Sequence, residues 1–361
     1  MKRLEIVQIG IGHVGRKVAQ IVLEERKRWR EREGIEVSYR AVSDTSGALV
    51  GEEVLPQAIR LKEAGGKLSE FGVEPLEEVL LSDPAPGVTR IVVDVAVHGG
   101  TYDLDLLGVQ NGSYLVLSNK GPLSGSMAQY EQLTGMLRER LWHEATVGAG
   151  MPIISTMHGL IEGGDEILEI QASPSGTLGF IMSAVEGGRR FSEAVKQAVA
   201  LAYAEPDPRD DLSGLDVARK AIILARKMGR QIEPEEIPYK SLVPEGLEDV
   251  SLEEFMERLP EHDEAFAERL LAVEEHHMLR YLARIPKEGP VEVGLVDEPV
   301  ESPFGPISGP ENVFDFRTRR YSDVTLTIRG PGAGPERTAS GVVFDVLDIA
   351  QRAAQDDGKD D

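Results

Sequence analysis

The stretch GIGHVG, from Gly10 to Gly15, constrains this chain more than any other feature. It follows LEIVQIG, an apolar run of strand length, and leads into the long amphipathic stretch KVAQIVLEERKRWRERE. A strand that turns this tightly into a helix needs backbone without Cβ atoms at set places. In a G-x-G-x-x-G turn the first glycine, Gly10, permits the turn. The second, Gly12, lets a diphosphate approach the main chain, and the third, Gly15, lets helix pack on strand. The helix start, at His13 and Val14, supplies amides and positive potential to the anion. Glycine turns are common, so the match alone is a weak signal. Its place between a strand and a helix favours a dinucleotide site over a structural turn.

Further along the chain the alternation of strand and helix repeats. VSYRAVSD, TRIVVDVAV and SYLVLSNK read as buried strands, with a helix near DLDLLGVQNG. This predicts a Rossmann-type α/β fold, a doubly wound parallel sheet with crossover helices, over residues 1–150. The chain returns to it over 331–361 through the glycine-rich GPGAGPERTASGVVFDVLDIA, and DDGKDD reads as an acidic tail. Residues 151–330 read as a second, α+β domain. MPIISTMHGLIEGG, FSEAVKQAVALAYA and the stretch after Ser213 are helical there. EILEIQA, VEVGLV, NVFDF and VTLTI are strands, and DEPVESPFGPISGP is an irregular loop. SLEEFMERL through LAVEEHHMLRYLARI reads as a charged helical region, which puts the adjacent His276 and His277 on different sides of a helix. The seven histidines show no metal-ligand spacing.

Asp44 closes the second strand. A carboxylate there can accept from ribose hydroxyls and repel a 2′-phosphate, which favours NAD. The alternative is that Asp44 caps a turn, and Arg40 nearby leaves NADP open.

Composition excludes several classes. The formal net charge is −23, which disfavours nucleic acid and anionic membranes as partners. No apolar run is long enough to cross a bilayer and the N-terminus lacks a signal-peptide pattern, so a cytoplasmic protein is expected. There is no cysteine. That removes disulfides, thiolate-bound zinc and the thiohemiacetal route from aldehyde to acid. An aldehyde handled with a nicotinamide would have to be interconverted with an alcohol or amine.

Residues 205–220, EPDPRDDLSGLDVARK, crowd charge ahead of an apolar helix. Asp216 and Lys220 stand at i and i+4 and share a helix face, while Leu215, Ala218, Ile222 and Ala225 can form an apolar one. By spacing alone this is an ordinary ion pair worth a few tenths of a kcal/mol, about 0.2–0.5. Yet the pair lies at the helix start, beside Glu205, Asp207, Asp210 and Asp211, on an approach stiffened by prolines. Carboxylates plus one lysine suit a small zwitterion: acids for an ammonium, lysine for a proton or an oxyanion.

This segment closely resembles the one characteristic of homoserine dehydrogenases, G-Y-x-E-x-D-P-x-x-D-x-x-G-x-D-x-x-x-K. SNKGPL (118–123), EATVGAGMPII (144–154), SGTLGFI (175–181) and GPGAGPERTASGVVFDV (330–346) resemble further blocks of that family, in family order. The resemblance covers all but the acidic tail and matches the short form without a C-terminal regulatory domain. It implies reversible, NAD- or NADP-dependent interconversion of L-homoserine and L-aspartate 4-semialdehyde, serving threonine, isoleucine and methionine synthesis. It also implies a homodimer, with the second domain binding the amino-acid substrate and pairing subunits. Lys220 matches the catalytic lysine that exchanges the proton, and Asp216 the carboxylate that works with it. Lys120 matches a second lysine near nicotinamide and substrate. Glu205, Asp211, Tyr203 and Thr177 match substrate-contacting positions. Gly334 and Thr338 match positions that close over the nicotinamide. A monovalent cation, sodium, is implied on the carbonyl oxygens of Glu144, Val147, Ala149 and Met151. Two positions depart from the family: Ala96 stands beside the expected nicotinamide where threonine is common, and His98 follows it. They support a sister dehydrogenase with another amino-acid substrate, and a non-catalytic nucleotide sensor is the other alternative.

Overall fold

The structure is a computed structural model that describes residues 1–97, 99–137 and 140–356. His98 and the tail beyond Asp356 lie outside the described residues. The chain divides into two compact units, Met1–Gly150 with Ala333–Asp361, and Met151–Gly332.

The first unit is built on six strands: β1 (Lys2–Ile9), β2 (Ile35–Asp44), β3 (Gly47–Val50), β4 (Val88–Asp94), β5 (Tyr114–Leu117) and β6 (Leu141–Trp142). Their order is β3-β2-β1-β4-β5-β6. All neighbours are parallel except β3, which folds back on β2 as an antiparallel edge strand that the sequence pattern does not predict. Ile6, Val7, Ile91, Val92, Val93, Leu115 and Val116 are fully buried, as expected of parallel strands covered on both faces. The helix His13–Glu33 turns Val18, Ala19, Val22 and Trp29 inward. It stops at Gly34, whose left-handed φ of 67° lets its N–H bond the Trp29 carbonyl. The last helix, Pro335–Asp356, brings Ala339, Val342, Val343, Val346 and Ile349 into the same core. The chain leaves β1 for β2 on one side and reaches β4 on the other. The carboxyl ends of β1 and β4 therefore flank a topological switch point, where open α/β sheets bind ligands.

The second unit has five antiparallel strands in the order β11-β10-β7-β8-β9. They are β7 (Ile167–Ser173), β8 (His277–Pro286), β9 (Glu292–Pro299), β10 (Asn312–Thr318) and β11 (Leu326–Gly330). Here the expectation from sequence needs correction: HMLRYLARI, from His277, is not helical but forms β8, inside the sheet. The charged helices end earlier, at Leu252–Arg258 and Asp263–Leu271. A turn with His276 at φ 64° breaks the run, and pairing of β8 with β7 and β9 overrides the local helical pattern. Neither His276 nor His277 therefore lies on a helix.

The two faces of this sheet differ. Ile170, Ala172, Tyr281, Ala283, Phe314 and Phe316 are buried on one face, against which the helices Gly176–Glu186 and Leu215–Lys227 pack. On the other, Arg284 and Arg317 both donate to the Glu169 carboxylate, each at 2.8 Å, and Gln171 donates to it at 2.9 Å. Among the described residues no helix is long and apolar enough to cross a membrane.

Candidate active site

The glycine turn sits at the switch point. Gly10 has a φ of 95°, and a Cβ there would lie 3.0 Å from the main-chain N of Ala96, just after β4. A Cβ at Gly15 would fall 2.3 Å from the Gly10 carbonyl oxygen, so only glycine lets the helix close on the strand. Nothing lies within 4 Å of the place a Cβ of Gly12 would take, which leaves that stretch of main chain open. His13 and Val14 open the helix. A residue that sequence reasoning missed braces this turn. Gln8, fully buried on β1, donates to the carbonyls of Gly10 (2.8 Å) and Gly15 (3.1 Å) and accepts from the Tyr39 hydroxyl at 2.8 Å. An amide set among the apolar Ile6, Val7 and Ile9 at the end of a central strand is the signal that could have found it.

Asp94, at the end of β4, was missed too. Its Oδ1 accepts from the Ala96 N–H at 2.9 Å, and its Oδ2 accepts from Thr101 Oγ1 (2.7 Å) and Asn119 Nδ2 (2.9 Å). Asn119 Oδ1 in turn accepts from the Gly121 N–H at 3.0 Å. Lys120 is thus carried on a turn whose two neighbours are both tied down. On the returning segment, Gly334 is left-handed at φ 117°, and the N–H and hydroxyl of Thr338 both bond its carbonyl at 3.0 Å.

Asp44 lies at the end of β2 as expected, but its carboxylate is used inside the protein. Oδ1 accepts from the N–H (2.9 Å) and hydroxyl (2.5 Å) of Ser46, and Oδ2 accepts from Lys62 Nζ (2.9 Å) and the Leu68 N–H (3.1 Å). Four donors fill the acceptor sites of one carboxylate. The carboxylate caps this turn, and Lys62 offsets the charge that was expected to repel a 2′-phosphate. Burial pushes the Asp44 carboxyl up, but the bonds from Ser46, Lys62 and Leu68 outweigh it and hold it at about 2. A group lowered in the fold contributes stability above its unfolded value and loses it as the pH falls through its folded one. Asp44→Asn should thus lower the thermal midpoint at neutral pH, with the gap to wild type narrowing as the pH drops from about 4 towards 2. A gap independent of pH would show that the charge of Asp44 does not matter.

The charged block gathers in the second unit. Gly214, left-handed at φ 76°, caps the helix Leu215–Lys227. Val217, Ala218, Ala221, Ile222, Leu224 and Ala225 are buried, whereas Leu215, expected among them, is 37% exposed. On the face shared by Asp216 and Lys220, Lys220 Nζ lies 2.7 Å from Asp216 Oδ2 and donates to the Pro174 carbonyl at 2.6 Å. Lys220 is 8% exposed, while the Asp216 side chain is 45% exposed. Asp211 Oδ2 accepts from the Glu205 N–H at 2.8 Å. Thr177 Oγ1 donates to the Tyr203 carbonyl at 2.6 Å and also reaches Asp211. Burial raises the Asp211 carboxyl, and the charges of Glu205 and Asp216 add to this against the bonds from Glu205 N–H and Thr177. Thr177, Tyr203, Glu205, Asp211, Asp216 and Lys220 therefore form one connected group. Where the family segment opens with glycine this chain has Ala202, which holds a left-handed φ of 53°. Arg209 is architecture. It pairs with Asp207, donates to the carbonyls of Glu248 and Val250, and stands 5.4 Å from the Phe255 ring centre.

Comparison with known proteins converges on one family. The homoserine dehydrogenase family model matches residues 152–347. The homoserine dehydrogenase of Saccharomyces cerevisiae is 39% identical over 254 residues, 68% of this chain and 70% of that protein. A bifunctional aspartokinase/homoserine dehydrogenase of Arabidopsis thaliana is 43% identical over 275 residues, 74% of this chain but only 29% of the plant protein. The chain thus spans well under half of that bifunctional relative. Among solved structures, a hyperthermophilic archaeal homoserine dehydrogenase in complex with NADPH superposes with a TM-score of 0.74 at 26% identity, covering 97% of this chain and 98% of that one. Sequence, fold and the Lys220 helix lead to the same place, and the chain belongs to the homoserine dehydrogenase family.

Proposed function

We propose that this chain is a homoserine dehydrogenase, which reduces L-aspartate 4-semialdehyde to L-homoserine and runs the reverse reaction. The observation that carries the reading is the setting of Lys220. An ammonium has three N–H bonds. Pro174 and Asp216 account for two, and the third is left for the substrate oxygen. Glu205 and the neighbouring carboxylates hold the substrate ammonium, and Asp216 orients Lys220. In the reducing direction Lys220 gives its proton to the oxygen of the former aldehyde as the carbon gains a hydride. A bound nicotinamide cofactor supplies that hydride. Gly10, Gly12, Gly15 and the amides at His13 and Val14 hold its diphosphate, with Ala96, Lys120, Gly334 and Thr338 towards the nicotinamide.

Either NAD or NADP fits this reading, because Asp44 is paired with Lys62. A monovalent cation, sodium, on the carbonyls of Glu144, Val147, Ala149 and Met151 belongs to the same proposal. Support for it comes from the consecutive left-handed residues Gly148 (φ 80°) and Ala149 (φ 57°), which redirect the main-chain oxygens of that loop. Hard cations favour such oxygens. A homodimer formed through the polar open face of the second sheet completes the reading. Nicotinamide absorbance, recorded with L-homoserine and either NAD or NADP, tests it. Turnover with at least one supports the proposal. Turnover only with another amino-acid alcohol would point to a sister enzyme, and cofactor binding without turnover to a sensor.

A further inference from the structure

Asp105 is a buried acid for which the proposed chemistry has no use. It lies on the helix Tyr102–Gln110, is 0% exposed, and neither carboxyl oxygen meets a hydrogen-bond donor among the described residues. Its polar neighbour is the carboxyl of Asp94, itself 0% exposed. Two ionised carboxylates are acceptors only, and neighbouring like charges that are both buried strongly disfavour each other. One of the two must carry a proton. The surroundings decide which. Asp94 accepts three bonds, from the Ala96 N–H, Thr101 Oγ1 and Asn119 Nδ2, and these favour its charged form. Asp105 accepts none. We infer that Asp105 is a neutral carboxylic acid that donates its proton to Asp94, and that the pair is a positioning device for the turn carrying Lys120.

Burial raises both carboxyls, and at Asp105 the Asp94 charge adds to it. The positioning role stems from where Asp94 stands. Its Oδ1 fixes the turn after β4 at Ala96. Its Oδ2 fixes the turn after β5 at Asn119, whose N–H also bonds the Asp94 main-chain carbonyl at 3.3 Å. A fourth donor, from Asp105, fixes the orientation of that carboxylate. If Asp94 rotates, Ala96 and Lys120 shift together. An apolar residue in place of Asp105 would spare the cost of burying an acid but take one of four donors from Asp94, so the two effects on stability oppose each other and stability alone does not call for an acid. Its use therefore lies in orientation. That Lys120 serves a dehydrogenase rests on the function proposed above; the shared proton does not.

The test has two parts. Infrared spectra at neutral pH should show the C=O band of a protonated carboxylic acid in the wild-type minus Asp105→Asn difference. Absence of that band would overturn the inference, whatever substrate the protein uses. NADPH and NADH binding, read by nicotinamide fluorescence, should then separate two variants. Asp105→Leu removes the donor and should bind the cofactor about tenfold more weakly, with a thermal midpoint close to wild type. Asp105→Asn keeps a donor and should recover most of that affinity. Wild-type binding by the leucine variant, or an asparagine variant no better than leucine, would contradict the positioning role. Should the leucine variant not fold, the infrared band alone still decides on the proton.

Discussion

Lys220→Ala is expected to lower kcat by about 10³-fold, the range of a lost general acid, while leaving NADPH affinity near wild type. The two effects separate because Lys220 belongs to the second unit and the glycine turn to the first. The fold should survive. Removing the ammonium leaves Asp216 at 45% side-chain exposure, where water can solvate it, and frees one carbonyl, that of Pro174. Lys220→Arg should not rescue turnover, because a guanidinium spreads its charge over a planar fork and does not release a proton near neutral pH. Circular dichroism and fluorescence titration with NADPH separate loss of chemistry from loss of structure. A Lys220→Ala protein with near-normal turnover would remove Lys220 from the reaction.

Gly214→Ala should be nearly as damaging by a different route. The residue holds a φ of 76°, and a Cβ would lie 1.9 Å from the hydroxyl of Tyr281. Tyr281 has nowhere to retreat: it is 2% exposed, and its hydroxyl donates to the Lys240 carbonyl at 2.8 Å. The left-handed backbone costs alanine about 1–2 kcal/mol, and forcing an atom into a packed core costs about 1–3 kcal/mol more. Relief comes by moving the helix start, which carries Asp216 and, one turn on, Lys220. The expected result is a lower thermal midpoint together with a fall in kcat, measured by calorimetry and steady-state assay. An alanine variant with unchanged midpoint and kcat would show that the cap does not set the lysine.

Much of this was legible in the sequence because it is local. The glycine turn, the apolar β1 and the i, i+4 pair of Asp216 and Lys220 each arise from residues close in the chain. What was not legible depends on distant partners. Lys62 and Leu68 reach Asp44 from 18 and 24 residues away, and no spacing rule distinguishes the ribose-binding carboxylate from the capped one. Tyr281 meets Gly214 only because β8 pairs between β7 and β9, and the same residues carry a helical pattern. Gln8, Asp94 and Asp105 are isolated polar residues until the sheet places the first two at its carboxyl edge and the helix Tyr102–Gln110 brings the third to Asp94. The block 205–220 is intermediate: its order identifies the family and its spacing the pair of Asp216 and Lys220, but only the fold shows that Asp207 and Arg209 brace a loop.

The central claim is that this protein moves a hydride to the aldehyde carbon of an amino acid under the proton of Lys220. It is tested most directly by supplying L-aspartate 4-semialdehyde with a reduced nicotinamide cofactor carrying deuterium at both positions of ring C4, and locating the label by mass spectrometry and NMR. The account predicts L-homoserine carrying one deuterium on C4, formed about 10³-fold more slowly when Lys220→Ala replaces the wild type. Unlabelled homoserine, or no homoserine with either NADH or NADPH, would contradict it.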